Sequence, residues 1–145
     1  MKFITLRSVS PEDSDLLFAW RNDPDVIMMR SNLTPDTREE HDRWMRFVAR
    51  STDIDAYIAE LDGVPIGQGR IERTFKALSP KMDTCVLSYS IDKDHRGLGY
   101  GKQLVTLLTA IGKQQYMTVT CRIKRTNIRS LLAAVRGGVN AVELF

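Results

Sequence analysis

The sequence predicts one α/β domain over residues 1–145, a mixed sheet with helices on both faces. Three observations carry that reading. A chain of 145 residues is one domain's worth and buries roughly two-thirds of its unfolded surface, enough for a core without disulfides or metals. Its composition, 43% hydrophobic and 27% charged, is that of an ordinary globular protein. Along the chain the apolar pattern switches between a period of two and helical spacing, which gives the order β-α-α-β-β-β-α-β-α-β.

The elements follow in turn. Residues 2–7 alternate weakly and read as a first strand. Ser10, Pro11 and Asp13 make a helix start, because Ser10 can cap, Pro11 fits the first turn and Asp13 suits the positive end. Leu16, Leu17 and Trp20 form a short apolar face, and Asn22-Asp23-Pro24 ends that helix. Thr34-Pro35 is expected to open the next, with His41, Trp44 and Val48 on one face. Residues 56–61 and 64–73 are two strands around Asp62-Gly63, a type I′ hairpin signal. A polar loop with Pro80 spans 74–83, and the strand 85–91 follows. After a glycine-rich loop comes a helix with the stripe Leu104, Leu107, Leu108 and Ile111. Residues 117–123 alternate as another strand. A last helix carries Ile128, Leu131, Leu132 and Val135, Gly137-Gly138 ends it, and 139–145 form the final strand.

Composition excludes several classes. The longest uncharged stretch, 103–112, is far short of the roughly 20 residues of a membrane span, and residues 1–10 hold no signal-peptide core. Two cysteines, Cys85 and Cys121, make no disulfide framework, so a reducing cytoplasm is expected. His41 and His95 form no zinc pattern with them, so no metal is expected. The balance is mildly basic, 21 Lys and Arg against 18 Asp and Glu. Arg122, Lys124, Arg125, Arg129 and Arg136 cluster in a stretch without acid, which attracts phosphate. The cluster alone also suits a nucleic acid, but no RNA-binding motif accompanies it, so no nucleic-acid partner is expected.

The chemistry concentrates at 94–102. Glycines there let a backbone approach a ligand and aim successive N–H groups at one spot, and the following helix adds its positive end. Such a site takes a pyrophosphate. The dinucleotide pattern G-x-G-x-x-G fails, because Lys102 stands where glycine is needed. The P-loop pattern fails at Arg96 and at Gln103. What fits is R-x-x-G-x-G, from Arg96, Gly99 and Gly101, and this resembles the acetyl-CoA loop of the GNAT N-acetyltransferase superfamily. Asn127 and Ser130 match its N-x-x-S segment, and Gly138-Val139 stands where Gly-Phe is usual. The element order agrees over nearly the whole chain, so the resemblance implies a GNAT-like fold.

The N-terminal half is similar to one branch. Leu6-Arg7, the Trp20–Pro24 string, the 39–44 string and the 65–70 string resemble amine N-acetyltransferases of nucleotide-linked amino sugars in pseudaminic-acid-type biosynthesis. They also resemble relatives near the ribosomal-protein N-terminal acetyltransferases.

The resemblance implies direct transfer from acetyl-CoA to a primary amine, most simply on a nucleotide-linked amino sugar or a similar small molecule. Ile91, Arg96, Gly97, Leu98, Gly99, Tyr100, Gly101, Lys102, Asn127 and Ser130 would hold acetyl-CoA, with the pantetheine arm between the strands 86–91 and 117–123. Arg21, Asn22, Arg30 and Arg70 would face the acceptor. The chain departs from the family at both usual catalytic positions: Val86 stands for the basic Glu and Ala134 for the acidic Tyr. His41 or Glu72 is then the candidate base, and Tyr89 the candidate acid. A seventh strand is usual in the family, yet the sequence ends at Phe145. An open edge invites pairing, so a monomer or a homodimer is expected. A protein N-terminal or antibiotic acetyltransferase and a non-catalytic CoA-binding domain stay open as alternatives.

Overall fold

The computed structural model describes residues 2–74 and 83–145. Strands β1 (Thr5–Ser8), β2 (Ile54–Leu61), β3 (Val64–Thr74) and β4 (Thr84–Ile91) run antiparallel to one another. Strands β5 (Thr118–Ile123) and β6 (Ala141–Leu144) extend the sheet in parallel, in the order β1-β2-β3-β4-β5-β6. The β2–β3 hairpin turns on Asp62 at φ 51° and Gly63 at φ 78°, the two positive values a type I′ turn requires.

The change to parallel pairing at β4 demands crossovers, and two helices supply them. Helix α4 (Tyr100–Gln115) joins β4 to β5, and α5 (Ile128–Gly137) joins β5 to β6. Both pack on one face, over a core that includes Ile66, Ile71, Leu87, Leu104, Leu108, Val119 and Cys121. Helices α1 (Ser14–Arg21), α2 (Pro24–Met28) and α3 (Arg38–Arg50) belong to the other face, where Leu17 and Trp20 bury against Ile58 of β2.

Three elements differ from the sequence expectation. The Asp23-Pro24 pair that ends α1 also starts α2: the Asp23 carboxylate caps the Asp25 N–H at 2.9 Å, and proline opens the helix. Helix α3 begins at Arg38, not at Thr34. Thr37 and Glu40 close a reciprocal capping box, while Thr34-Pro35 stays in the connection. The apolar stripe foreseen for α5 is buried only in part: Leu131 packs against the core, but Ile128 and Val135 are 57% and 63% exposed while Ala134 is fully buried. The cause is close packing: a Cβ built on Gly137 would stand 2.4 Å from Val105 Cγ1, so α5 meets α4 through small residues. The polar loop read at 74–83 lies, apart from its two ends, outside the described residues.

Candidate active site

The sheet opens in the middle. Parallel pairing between β4 and β5 stops at Leu87 and Cys121, yet β4 continues to Ile91 and β5 to Ile123. The two strands splay beyond that point, and a cleft of about 950 Å³ fills the gap. Tyr89 and Ile91 line it from β4, Arg70 from β3, and Asn127 and Ser130 from the start of α5. Arg21 and Arg30 reach it from the opposite face.

One end of the cleft is backbone. Gly97 at φ 76° and Gly99 at φ 88° turn the chain from β4 into α4, a conformation that glycine adopts without strain. Among the described residues, none of the N–H groups at 97–102 donates a hydrogen bond within the protein. A Cβ on Gly97 or Gly99 would meet nothing within 4 Å, so space lies open beside this row of donors. The N-terminus of the sixteen-residue α4 adds its dipole, and Lys102, Arg129 and Arg136 bring positive charge to the rim. The arrangement suits a pyrophosphate. Leu98 and Tyr100 do not line the cleft: Leu98 is exposed, and Tyr100 packs on the core. Asn127 spends its side chain capping α5, where it accepts from the Ser130 N–H at 3.2 Å. Arg96 lines the cleft but commits its guanidinium to the Ile91 carbonyl, Asp23 and Asp25.

At the splay itself, Tyr89 and Ser130 meet. The Tyr89 hydroxyl donates to the Ser130 carbonyl at 2.9 Å and accepts from Ser130 Oγ at 2.8 Å. Burial pushes the Tyr89 phenol above its ordinary range, so it keeps its proton. Ala134 is fully buried in the core. Val86 is registered opposite Glu72 of β3, so the two share a face of the sheet, with Cβ atoms about 5 Å apart as cross-strand neighbours are. Glu72 is half-buried and stands one pleat beyond Arg70, outside the cleft lining.

The candidate acceptor residues divide. Arg21 Nε donates to Asp36 at 2.7 Å, and Arg30 donates to Asp36 at 3.3 Å and to three carbonyls. Asn22 pairs with the Asp36 backbone through two bonds of 2.8 Å and does not line the cleft. These three groups therefore tie α1 to the segment before α3. Asp36, the hub of that network, has no periodic or motif signal in the sequence. Arg70 is different. Among the described residues it makes no ion pair, its Nε is buried without a partner, and its only hydrogen bond is a long one of 3.5 Å to Ser88. Burial, with Arg21 close by, pulls its pKa down, and Glu72 opposes the shift.

His41 stands apart from the cleft. It is 1% exposed, its Nε2 donates to the Ser14 carbonyl at 2.9 Å, and its ring lies between Phe18 and Trp44. The structure does not bring it to the cleft, where the sequence reading had it as a candidate base.

The family model described as Acetyltransferase (GNAT) domain matches residues 4–140. The chain belongs to this family. The GNAT domain also shares its fold with solved structures. One is the aminoglycoside acetyltransferase AAC(6')-Ib in complex with coenzyme A and kanamycin, 20% identical over 93% of this chain and 83% of that one, with a TM-score of 0.76. Another is an N-acetyltransferase from Staphylococcus aureus Mu50, 22% identical over 92% and 81%, TM-score 0.76. A third is spermidine N-acetyltransferase from Vibrio cholerae with CoA and spermine, 12% identical over 93% and 79%, TM-score 0.80. At these identities the likeness concerns the fold. No curated protein matches the sequence. Among the described residues of the GNAT domain, no group of His, Cys, Asp or Glu is placed to hold a metal, and no helix is long and apolar enough to cross a membrane.

Proposed function

We propose that this domain moves the acetyl group of acetyl-CoA to a primary amine on a small, negatively charged acceptor, of which a nucleotide-linked amino sugar is the best match. Acetyl-CoA, when bound, supplies an activated thioester. The open row of N–H groups at 97–102 suits its pyrophosphate, and the splay beyond Leu87 and Cys121 suits its pantetheine arm. Glu72, beside the Val86 position, removes the amine proton through water; Tyr89, still accepting from Ser130 Oγ, turns its one proton from the Ser130 carbonyl to the departing sulfur. A thiolate with a pKa of about 8.5 leaves readily, so that hydrogen bond assists a modest step. Holding both reactants in one cleft provides much of the rate.

The observation that carries the acceptor reading is Arg70, a shielded guanidinium that makes no ion pair among the described residues. The Trp44 ring 5.4 Å beneath it and the more distant Glu72 offset such a charge only in part, and an acceptor phosphate answers it with a charge-assisted bond. The rest of the lining agrees. Every charged side chain lining the cleft is basic except Asp25, which is itself paired with Arg96 at 3.3 Å. Polycations such as spermine or kanamycin, present in the complexes above, need acidic lining instead.

Acceptor profiling with acetyl-CoA tests this. UDP-linked amino sugars should be turned over at least about tenfold better than the free amino sugars, the worth of one charge-assisted hydrogen bond. The preference should shrink with added salt and with Arg70→Gln. Turnover of peptide N-termini, spermidine or kanamycin, with none of any nucleotide-linked amino sugar, would reject the acceptor class.

A further inference from the structure

Arg96 begins the R-x-x-G-x-G loop, yet its fork points away from the row of N–H groups. Its Nε donates to the carbonyl of Ile91, the last residue of β4, at 2.8 Å. Its Nη2 donates to Asp23 Oδ2 at 3.0 Å, and Nη1 to Asp25 Oδ2 at 3.3 Å. The other oxygen of Asp23 is the cap of α2. One guanidinium therefore joins the end of β4, the cofactor loop and the first turn of the helix on the opposite face. The Arg96–Asp23 pair is shielded, with side chains 20% and 15% exposed, whereas Asp25 is 76% exposed and adds little.

The far end of α2 is tied to the other strand of the splay. Lys124, just beyond β5, donates from Nζ to the Met28 carbonyl at 2.9 Å. Helix α2 thus spans the gap between the diverging strands, held to the β4 arm by Arg96 and to the β5 arm by Lys124. Val26 of α2 lines the cleft, so α2 forms part of the wall facing the acceptor. A second link runs parallel: Trp20 of α1 donates to Asp92 Oδ1 at 3.3 Å, and Asp92 also faces His95 Nδ1 at 3.2 Å.

We infer that Arg96 is a positioning residue, which transmits occupancy of the cofactor loop to the α2 wall through Asp23 rather than holding phosphate itself. This rests on the reading that the loop at 97–102 takes acetyl-CoA. When that loop is filled, its backbone is fixed, Arg96 is fixed with it, and the cap of α2 is held in the geometry that receives the acceptor. The two substrate sites then reinforce each other, because a coupling between sites is reciprocal.

The experiment combines calorimetry with acetyl-CoA and amide hydrogen exchange of α2 in the whole protein. The variants are Arg96→Gln, Arg96→Lys and Asp23→Asn, with folding checked by circular dichroism. Asp23→Asn keeps a capping oxygen and removes only the charge. In the wild type, saturating acetyl-CoA should slow exchange at 26–30 by about tenfold. Arg96→Gln and Asp23→Asn should bind acetyl-CoA within about threefold of wild type, yet show no such slowing. Arg96→Lys, which keeps the charge but not the fork, should fall between them. Loss of acetyl-CoA affinity by more than about tenfold in Arg96→Gln, with Asp23→Asn unchanged, would make Arg96 a ligand to phosphate and overturn the proposal. Equal protection of α2 in wild type and variants would overturn it too. If wild type binds no acetyl-CoA, the cofactor reading fails instead. Exchange without ligand then decides on the link: faster exchange at 26–30 in both Arg96→Gln and Asp23→Asn keeps it, and unchanged exchange removes it.

Discussion

Tyr89 of β4 and Ser130 of α5 exchange two hydrogen bonds, of 2.9 and 2.8 Å, beside the point where β4 and β5 part. The phenol is thereby oriented from the far side of the splay, and burial keeps it protonated at neutral pH. Tyr89→Phe retains the ring and deletes the donor. The expected result is a fall in kcat of about a hundredfold, the lower end of what lost acid–base catalysis costs. Acetyl-CoA affinity should stay near wild type, and stability should drop by about 1–3 kcal/mol for the two lost hydrogen bonds. Steady-state kinetics, calorimetry and denaturant unfolding measure the three. An unchanged kcat would reduce Tyr89 to packing.

Much of this was legible in the sequence, for identifiable reasons. The Asp62-Gly63 turn, the alternation of 85–91 and the glycines of the loop are local signals, and each fixes its own conformation. The burial of Leu104 and Leu108 likewise follows from helical periodicity. What escaped is tertiary. Ile128 and Val135 look like a core stripe, but the tight meeting of Gly137 with Val105 turns α5 so that they face outward. His41 has the spacing and chemistry of a base, and only the packing of α1 on α3 shows it buried. Arg21, Arg30 and Arg70 are equivalent as letters; Asp36 engages the first two, and the third makes no ion pair among the described residues. A helix of five residues, α2, is too short to produce periodicity.

Gly101 offers a clean probe of the cofactor site. A Cβ there would meet only Ile91 Cγ1, at 3.9 Å, an ordinary contact, so a side chain can begin at this position without a clash, as in Gly101→Val. The added methyl groups would occupy the space into which the N–H row opens. Calorimetry with acetyl-CoA should show binding lost, while thermal unfolding stays within a few degrees of wild type. Gly99→Ala makes the contrast: its Cβ meets nothing, but at φ 88° it should cost about 1 kcal/mol in stability. Retained affinity in Gly101→Val would move the pyrophosphate elsewhere.

Gly137 tests the contact that sets the angle of α5. An alanine Cβ would lie 2.4 Å from Val105 Cγ1 and 3.3 Å from the Thr106 backbone nitrogen. Side-chain rotation alone cannot relieve both. Gly137→Ala should destabilise the domain by about 1–3 kcal/mol, the usual range for overpacking. Val105→Ala removes the nearest obstruction, Cγ1, and leaves its own Cβ at 2.9 Å, so the double variant should lose less than the sum of the singles. Additive losses, read by denaturant unfolding, would show that the two residues do not compete for space.

His41 gives a pH signature of stability without one of catalysis. Burial lowers its pKa from the ordinary 6.5, with Arg21 and Arg38 acting in the same direction and the Ser14 carbonyl and Asp42 opposing. Its folded pKa therefore lies below its unfolded value, so in the window between them the unfolded chain binds more protons. Stability is complete above about pH 6.5 and declines as pH falls from there toward the folded pKa. Asp13, held low by Arg7, acts in a separate window, below the carboxylate's ordinary 3.8. His41→Gln keeps a donor for the Ser14 carbonyl and should flatten the decline below about pH 6.5. Because His41 is sealed between Phe18 and Trp44 and water does not reach it, the same variant should keep kcat within about threefold of wild type at pH 8, while Glu72→Gln loses at least a hundredfold, roughly what a lost general base costs. A large loss of kcat in His41→Gln with the pH slope of stability intact would return His41 to the catalytic chemistry and remove it from the acid limb of folding.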